Sequence, residues 1–189
     1  MKVRDAIMNR RSIRKFTQTP VNYEDLTDLV LCATMAAYPA NRQPLKFAII
    51  TEKLDEVFAC TKWAGYLSDG TPKEGERPTA YIAILGDTSI KKEFQVETGA
   101  AGMTLLLAAE EKGLSACWLG ALNREELSKI LNLPEDIRML DLIALGYGAQ
   151  KSVAEPVRDG NIKYYLDEEG TLHVPKRTLD ETLIKERFA

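Results

Sequence analysis

Histidine is almost missing from this chain: His173 is the one imidazole in 189 residues. Any Ser-His or Cys-His catalytic pair would have to run through it. It sits in GTLHVPK, which reads as a turn followed by a strand, so its expected role is at a surface or interface. Cysteine is equally sparse. Cys32, Cys60 and Cys117 stand far apart, with no CxxC pair and one histidine to join them. That excludes a structural zinc site and a disulfide framework, and each is expected to act as a small buried hydrophobe. No metal ligand set is expected. Long hydrophobic runs are missing too. The most apolar stretch, AAGMTLLLAA at 100–109, is about half the length of a bilayer span. The N-terminus alternates charged and apolar residues without the apolar core of a secretory leader, so a cytoplasmic location with no membrane attachment is expected. Nucleotide fingerprints are absent: there is no GxxxxGK[ST] and no GxGxxG. The nearest stretch, GYGAQK at 146–151, lacks the third glycine, and its glycines read as strand-end turn residues. Nor does any repeat, low-complexity tract or Pro/Gly/Ser-rich linker divide the sequence, so residues 1–189 are expected to form a single domain. A content of 45% apolar and 28% charged residues fits an ordinary soluble globule.

What is present is a local excess of positive charge. The formal net charge is −3, yet the first fifteen residues hold six cations against Asp5. NRRSIRKF at 9–16 concentrates Arg10, Arg11, Arg14 and Lys15 within six positions. Such a cluster is either a solvated helix end or an anion site. Arginine forks donate paired hydrogen bonds to phosphate oxygens, and Ser12 adds a hydroxyl between them. Lys176 and Arg177, after Pro175, form a second basic pair. The acidic remainder of the chain, and the lack of aromatics among the basic residues, argue against nucleic-acid binding.

Periodicity predicts the elements. Val3, Ile7 and Met8 mark a short amphipathic helix. Asn22 caps a second of about four turns, with Leu26, Leu29, Val30, Ala33 and Ala37 on one face, stopping near Pro39. FAIIT (47–51), AYIAIL (80–85), SACWLG (115–120) and MLDLIALGYG (139–148) read as strands. A long helix is predicted from about Lys91 to Lys112, ended by Gly113, with Gly-Ala-Ala-Gly (99–102) letting another backbone approach. NREELSKIL is a short helix capped by Asn123. IKYYLDEEGTLHVPKR reads as a hairpin around Glu168, Glu169 and Gly170, and LDETLIKERF as a final polar helix. Strands alternating with helices predict an α/β or α+β sheet covered by helices. The loop YPANRQP at 38–44 carries Asn41 and Gln43, whose amides both donate and accept, between two stiffening prolines. It is either a polar connection or a reader of an alternating donor-acceptor edge, such as a flavin ring or a base.

In order along the chain, RRSIRKF, PANRQP, ETGAAGMTLLLAAEEKGLSACWLGA and a late PKR resemble the FMN-dependent nitroreductase family. The resemblance implies an α+β fold, with a central, mostly antiparallel sheet flanked by helices, in an intertwined homodimer with two FMN sites at its interface. It implies an oxidoreductase: ping-pong, two-electron reduction of a small planar nitroaromatic or quinone-like acceptor, with NADH or NADPH as transient co-substrate. Similar scaffolds carry out dehalogenation, ene reduction or flavin breakdown. Carried over by matching residues, Arg10, Arg11, Ser12 and Arg14 resemble the phosphate, ribityl and flavin-ring contacts, with Arg14 facing the pyrimidine end. Pro39, Ala40, Asn41 and Gln43 resemble the loop reaching FMN from the partner subunit. Leu119 and Gly120 resemble the turn beside the central ring, and Lys176 and Arg177 a late phosphate anchor. There are departures: Ala40 stands where the family often has serine, and Leu45 where it has tryptophan. The variable segment 61–78 offers Trp63 and Tyr66 as stacking candidates or as ordinary packing residues.

Overall fold

The computed structural model describes residues 1–184. Strand β1 (Leu45–Ile50) pairs with β2 (Ala80–Asp87), β2 with β4 (Ile137–Gly146), and β4 with β3 (Ser115–Leu119), all antiparallel, in the order β1-β2-β4-β3. Seven consecutive residues of β2, Ala80 to Gly86, are buried, because helices cover both faces of the sheet. On one face, Ile82, Ile84, Ile143 and Leu145 pack with Leu26, Leu29 and Ala33 of α2 (Tyr23–Thr34) and with Ala101 and Leu105 of α4 (Gln95–Glu111). On the other, Tyr81, Ala83, Leu142 and Ala144 pack with Val57 of α3 (Leu54–Ala59) and Leu127 of α5 (Arg124–Ile130). A bulge sets these faces: the β2–β4 register shifts between Ile84 and Leu85, leaving Leu140 unpaired. Met139 and Leu142 thereby reach the same core, although they are three residues apart.

The helices follow the sequence signals with shifted ends. Asn22 Oδ1 accepts from the Glu24 amide (3.1 Å), and Asn123 Oδ1 from the Glu126 amide (3.2 Å). Helix α2 stops at Thr34, short of Ala37, since Tyr38 is held extended by the following proline. Helix α4 begins at Gln95 rather than Lys91. Asp87 Oδ1 takes the Ser89 amide, and the Asp87 carbonyl takes the amides of Ile90 and Lys91, so this stretch turns before the helix can start. Its end is as predicted: Gly113 has φ +72°, with the paired bonds Leu114 N to Ala109 O and Gly113 N to Glu110 O. The expected backbone approach at 99–102 is instead an aromatic ring. A Cβ on Gly102 would lie 2.3 Å from the Trp118 indole, whereas Gly99 faces open space. Helix α1 (Val3–Asn9) forms but buries Ala6, and Val3, Ile7 and Met8 face outward. Cys60 and Cys117 are buried as expected, Cys32 partly, and all three are free. Among the described residues no helix is long and apolar enough to cross a membrane.

A second sheet follows: β5 (Ser152–Pro156) lies parallel to β7 (Leu172–Lys176), which pairs antiparallel with the short β6 (Tyr165–Leu166). The β6–β7 hairpin was legible, with Gly170 at φ +78°; β5 was not. Helix α6 (Leu179–Thr182) is one turn, and the predicted helix beyond Ile184 lies outside the described residues. His173 holds the small sheet together. Its ring stacks on Tyr165, with centroids 4.8 Å apart, while Nδ1 meets Glu155 Oε2 (3.1 Å) and Nε2 meets Asp167 Oδ2 (3.0 Å). Donating from both nitrogens requires the protonated ring. Hydrogen bonds to Asp167 and then Glu155 raise His173 above its ordinary 6.5, while the same bonds lower both carboxylates, Glu155 further through Tyr165 and the charge of Arg158. The histidine contribution is complete below pH 6.5 and is lost as pH rises through the raised value; that of the carboxylates is lost as pH falls through their lowered values. The unfolding temperature should therefore drop more steeply from about pH 6 to about pH 9 in the wild type than in His173→Gln. Parallel slopes would refute this clamp.

Candidate functional site

The stretch after α1 does not extend into solvent as a charged tail. The amide of Ile13 donates to Ala116 O (3.1 Å), that of Thr17 to Tyr147 O (2.8 Å), and Lys15 O accepts from Ala149 (2.8 Å), so the segment is laid across the ends of β3 and β4. Phe16, 1% exposed, fills the space left by Gly146, where a Cβ would meet its ring at 2.9 Å. A Cβ on Gly148 would meet Ser115 Oγ at 2.4 Å. Neither glycine has a positive φ, so both serve close approach rather than the turn expected of them.

With Ile13 and Phe16 turned inward, Arg10, Arg11, Ser12 and Arg14 are left half-buried around the outer edge. Arg11 Nη1 donates to the Arg10 carbonyl (2.6 Å), while its Nε is buried without a partner. Burial and the adjacent Arg11 charge lower the pKa of Arg10. An unsatisfied donor beside two crowded cations is relieved by an anion with several acceptor oxygens, so the residues present fit a phosphate group. The Cys117 thiol lies near Arg10 and Arg14, and burial raises its pKa, so it adds no negative charge. Lys15 is committed elsewhere, to Glu76 (2.9 Å).

Three other segments close on this edge. The Arg14 amide donates to Gln150 Oε1 (3.4 Å), and its guanidinium lies 4.9 Å from the centroid of Tyr164. Tyr164 in turn contacts Tyr66, with ring centroids 5.0 Å apart. Residues 61–66 join the turn after β3 through the Lys62 amide and Ala121 O (3.0 Å). Leu119 is buried in the core that holds Ile13 and Phe16, and Gly120 is exposed, its carbonyl accepting from Arg124 Nη2 (2.9 Å). Sequence reasoning missed Gln150 and Tyr164, since neither lies in a motif. Of the two aromatics it offered, Trp63 is a core residue stacked on Phe58, and Tyr66 is the exposed one.

The loop at 39–43 is elsewhere. It enters β1 at Leu45, which pairs with Gly86, itself paired with Arg138, whereas Ser12 bridges Ala116, paired with Leu145. Seven residues along β4 separate the two places, about 23 Å at 3.3 Å per residue. Ala40, Asn41 and Gln43 have φ of 50°, 51° and 47°, costly for residues with a Cβ, and Gln43 Nε2 donates to Asn41 Oδ1 (3.1 Å). The loop is thus preshaped, with Pro39, Ala40, Asn41 and Gln43 exposed. Beneath it Glu97 is fully buried and bonded to Lys91. Burial opposes its charge, but the Lys91 bond and the nearby Arg42 hold its pKa low. Lys176 and Arg177 are exposed at the outer end of the small sheet, Arg177 near Glu181 (3.9 Å), and among the described residues no hydrogen bond ties them to the N-terminal arginines. A concavity of about 840 Å³ between the start of α4, α5 and β4 contains none of those arginines; Lys92, Arg124 and Arg138 there are offset by Glu93, Glu125, Glu135 and Asp141.

Comparison with known proteins decides the lineage. The family model described as "Nitroreductase family" matches residues 7–80 and 72–147. The chain belongs to the nitroreductase family. A Methanothermobacter thermautotrophicus relative, provisionally named NADH dehydrogenase/NAD(P)H nitroreductase, is 31% identical over 160 residues, 79% of each chain. The Bacillus subtilis FMN reductase [NAD(P)H] is 26% identical over 173 residues, 80% of this chain and 68% of its own. A crystal structure of a provisionally named nitroreductase from Desulfovibrio desulfuricans in complex with FMN superposes at TM-score 0.71, with 25% identity, over 100% of this chain and 99% of that one. The nitroreductase fold is that of the expected class, α+β with an antiparallel central sheet between helices.

The arginine edge can be tested without any flavin. Inorganic phosphate, against chloride of equal ionic strength, should raise the unfolding temperature by a few degrees at about tenfold excess over its Kd. The double variant Arg10→Ala/Arg11→Ala should lose that rise. An equal rise in both proteins would mean a general salt effect and no anion site.

Proposed function

We propose that this chain is an FMN-dependent NAD(P)H oxidoreductase acting on small nitroaromatic or quinone-like acceptors. The observation that carries the reading is the arginine edge, with Arg11 Nε buried and unpartnered beside Arg10 and Ser12. When bound, FMN supplies the redox chemistry, two electrons entering from NADH or NADPH and leaving to the acceptor in ping-pong order. Arg10, Arg11 and Ser12 hold the phosphate. Lys176 and Arg177 serve as its late anchor. Arg14 would hold a positive charge toward the flavin's pyrimidine end and favour negative charge there, the more so as water is excluded. The backbone of the turn at Leu119 and Gly120 would approach the flavin's central ring. No imidazole is needed, in keeping with His173 being engaged in the small sheet.

Pro39, Ala40, Asn41 and Gln43 complete the site from a second copy. The separation of about 23 Å along β4 supports this, because one chain cannot bring its own loop to its own arginine edge. So do the apolar side chains left outward on α1, α2 and α4, and just after α2: Ile7, Met8, Leu31, Val96, Met103 and Met35. The working unit is then a homodimer of single-domain chains spanning 1–189.

The test is an absorbance spectrum after incubation with FMN and desalting, followed by anaerobic addition of NADH or NADPH. Retained yellow colour, bleached by a donor, supports the reading; a colourless protein refutes it. Arg14→Ala should weaken FMN retention or slow reduction by about tenfold to a hundredfold, the range of one charge-assisted hydrogen bond. Unchanged values for both would remove Arg14 from its role.

A further inference from the structure

Among the described residues Arg14 is held by an aromatic ring and not paired by a carboxylate, as Lys15 beside it is. Its Nη1 reaches the Ser12 carbonyl at 3.4 Å, a long bond, and its guanidinium lies 4.9 Å from the Tyr164 centroid. The difference matters chemically. A carboxylate would fix the guanidinium and cancel its charge, whereas a π face fixes it and leaves the charge free for another anion. Tyr164 is itself well supported. It packs on the core containing Ile13, Leu119 and Trp63, its hydroxyl lies 3.5 Å from the Tyr66 amide, and its ring meets Tyr66 at a tilt of 54°. The next residue, Tyr165, is fixed by Glu155 and stacked on His173, so the strand presenting Tyr164 is anchored from the far side. Tyr66, 53% exposed, carries the aromatic surface outward to solvent.

We propose that Tyr164 is a positioning residue that aims Arg14 without neutralising it, and that Tyr66 continues the same surface as a wall on which a planar aromatic acceptor stacks. This rests on the FMN reading above. The 162–174 hairpin and the 61–78 segment thereby become two sides of one acceptor site, each contributing one tyrosine.

The experiment uses the full chain stripped of flavin. FMN affinity is read by fluorescence quenching, and then KM is measured for menadione, a planar quinone, and for ferricyanide, which has no ring. Tyr164→Leu, which keeps the contact with the core, should weaken FMN binding by about threefold to thirtyfold, and Tyr164→Phe should restore it, because the ring and not the hydroxyl holds the guanidinium. Tyr66→Ala should raise KM for menadione about five- to tenfold and move that for ferricyanide less than about twofold. Wild-type FMN affinity in Tyr164→Leu would overturn the positioning role, as would failure of Tyr164→Phe to rescue. Equal KM changes for both acceptors in Tyr66→Ala would overturn the stacking wall. If the wild type itself bound no FMN, the functional reading would fall and this inference with it, a result distinct from any pattern among the variants. Unfolding temperatures separate misfolding from these outcomes; should Tyr164→Leu not fold, Tyr164→Met takes its place.

Discussion

Three backbone hydrogen bonds, between Ile13 and Ala116, Thr17 and Tyr147, and Ala149 and Lys15, press a strongly cationic segment against the end of an apolar sheet. Most of what is distinctive in the molecule follows from that contact. The bonds alone would be modest, about 1 kcal/mol each. What fixes the segment is Phe16, seated where Gly146 lacks a side chain, together with Ile13 in the same core. Burying Ile13 and Phe16 leaves Arg10, Arg11, Ser12 and Arg14 at the rim, half-buried. Burial and the neighbouring Arg11 charge work against the charge on Arg10, which is the cost that a bound phosphate would relieve.

The same sheet sets the two parts of the proposed site far apart. Along β4, the position level with the arginine edge and the position level with the start of β1, which the 39–43 loop enters, lie about 23 Å apart. The loop has positive φ at three non-glycine positions, and its Arg42 lies near the fully buried Glu97. The proposed homodimer accounts for both features at once. The small sheet contributes differently. Clamped by His173 between Glu155 and Asp167, it carries Tyr164 to Arg14.

The elements that were legible in the sequence are those whose signal is local. The apolar runs of β1 to β4, the caps Asn22 and Asn123 and the stop at Gly113 need no knowledge of distant residues. The RRSIR stretch was equally visible, since four cations in six positions stand out against an acidic chain. What was hidden depends on tertiary contact. The bulge at Leu140 decides which core Met139 joins, and nothing in MLDLIALG announces it. Strand β5 pairs in parallel with a strand about twenty residues later, a match no periodicity reveals. Tyr164 belongs to the site through a ring over Arg14, and Gly102 makes room for an indole rather than a backbone. The helical spacing of Val3, Ile7 and Met8 correctly predicted α1, but the side that it faces is solvent in the single chain.

If the arginine edge is built for a phosphate, removing that group from the flavin must cost affinity. The most direct measurement compares, by calorimetry, the affinity of the flavin-free chain for FMN and for riboflavin, which differ by the phosphate alone. The account predicts FMN to bind at least about tenfold more tightly, with the ratio falling toward one in Arg10→Ala. Equal affinities for the two flavins in the wild type would contradict it.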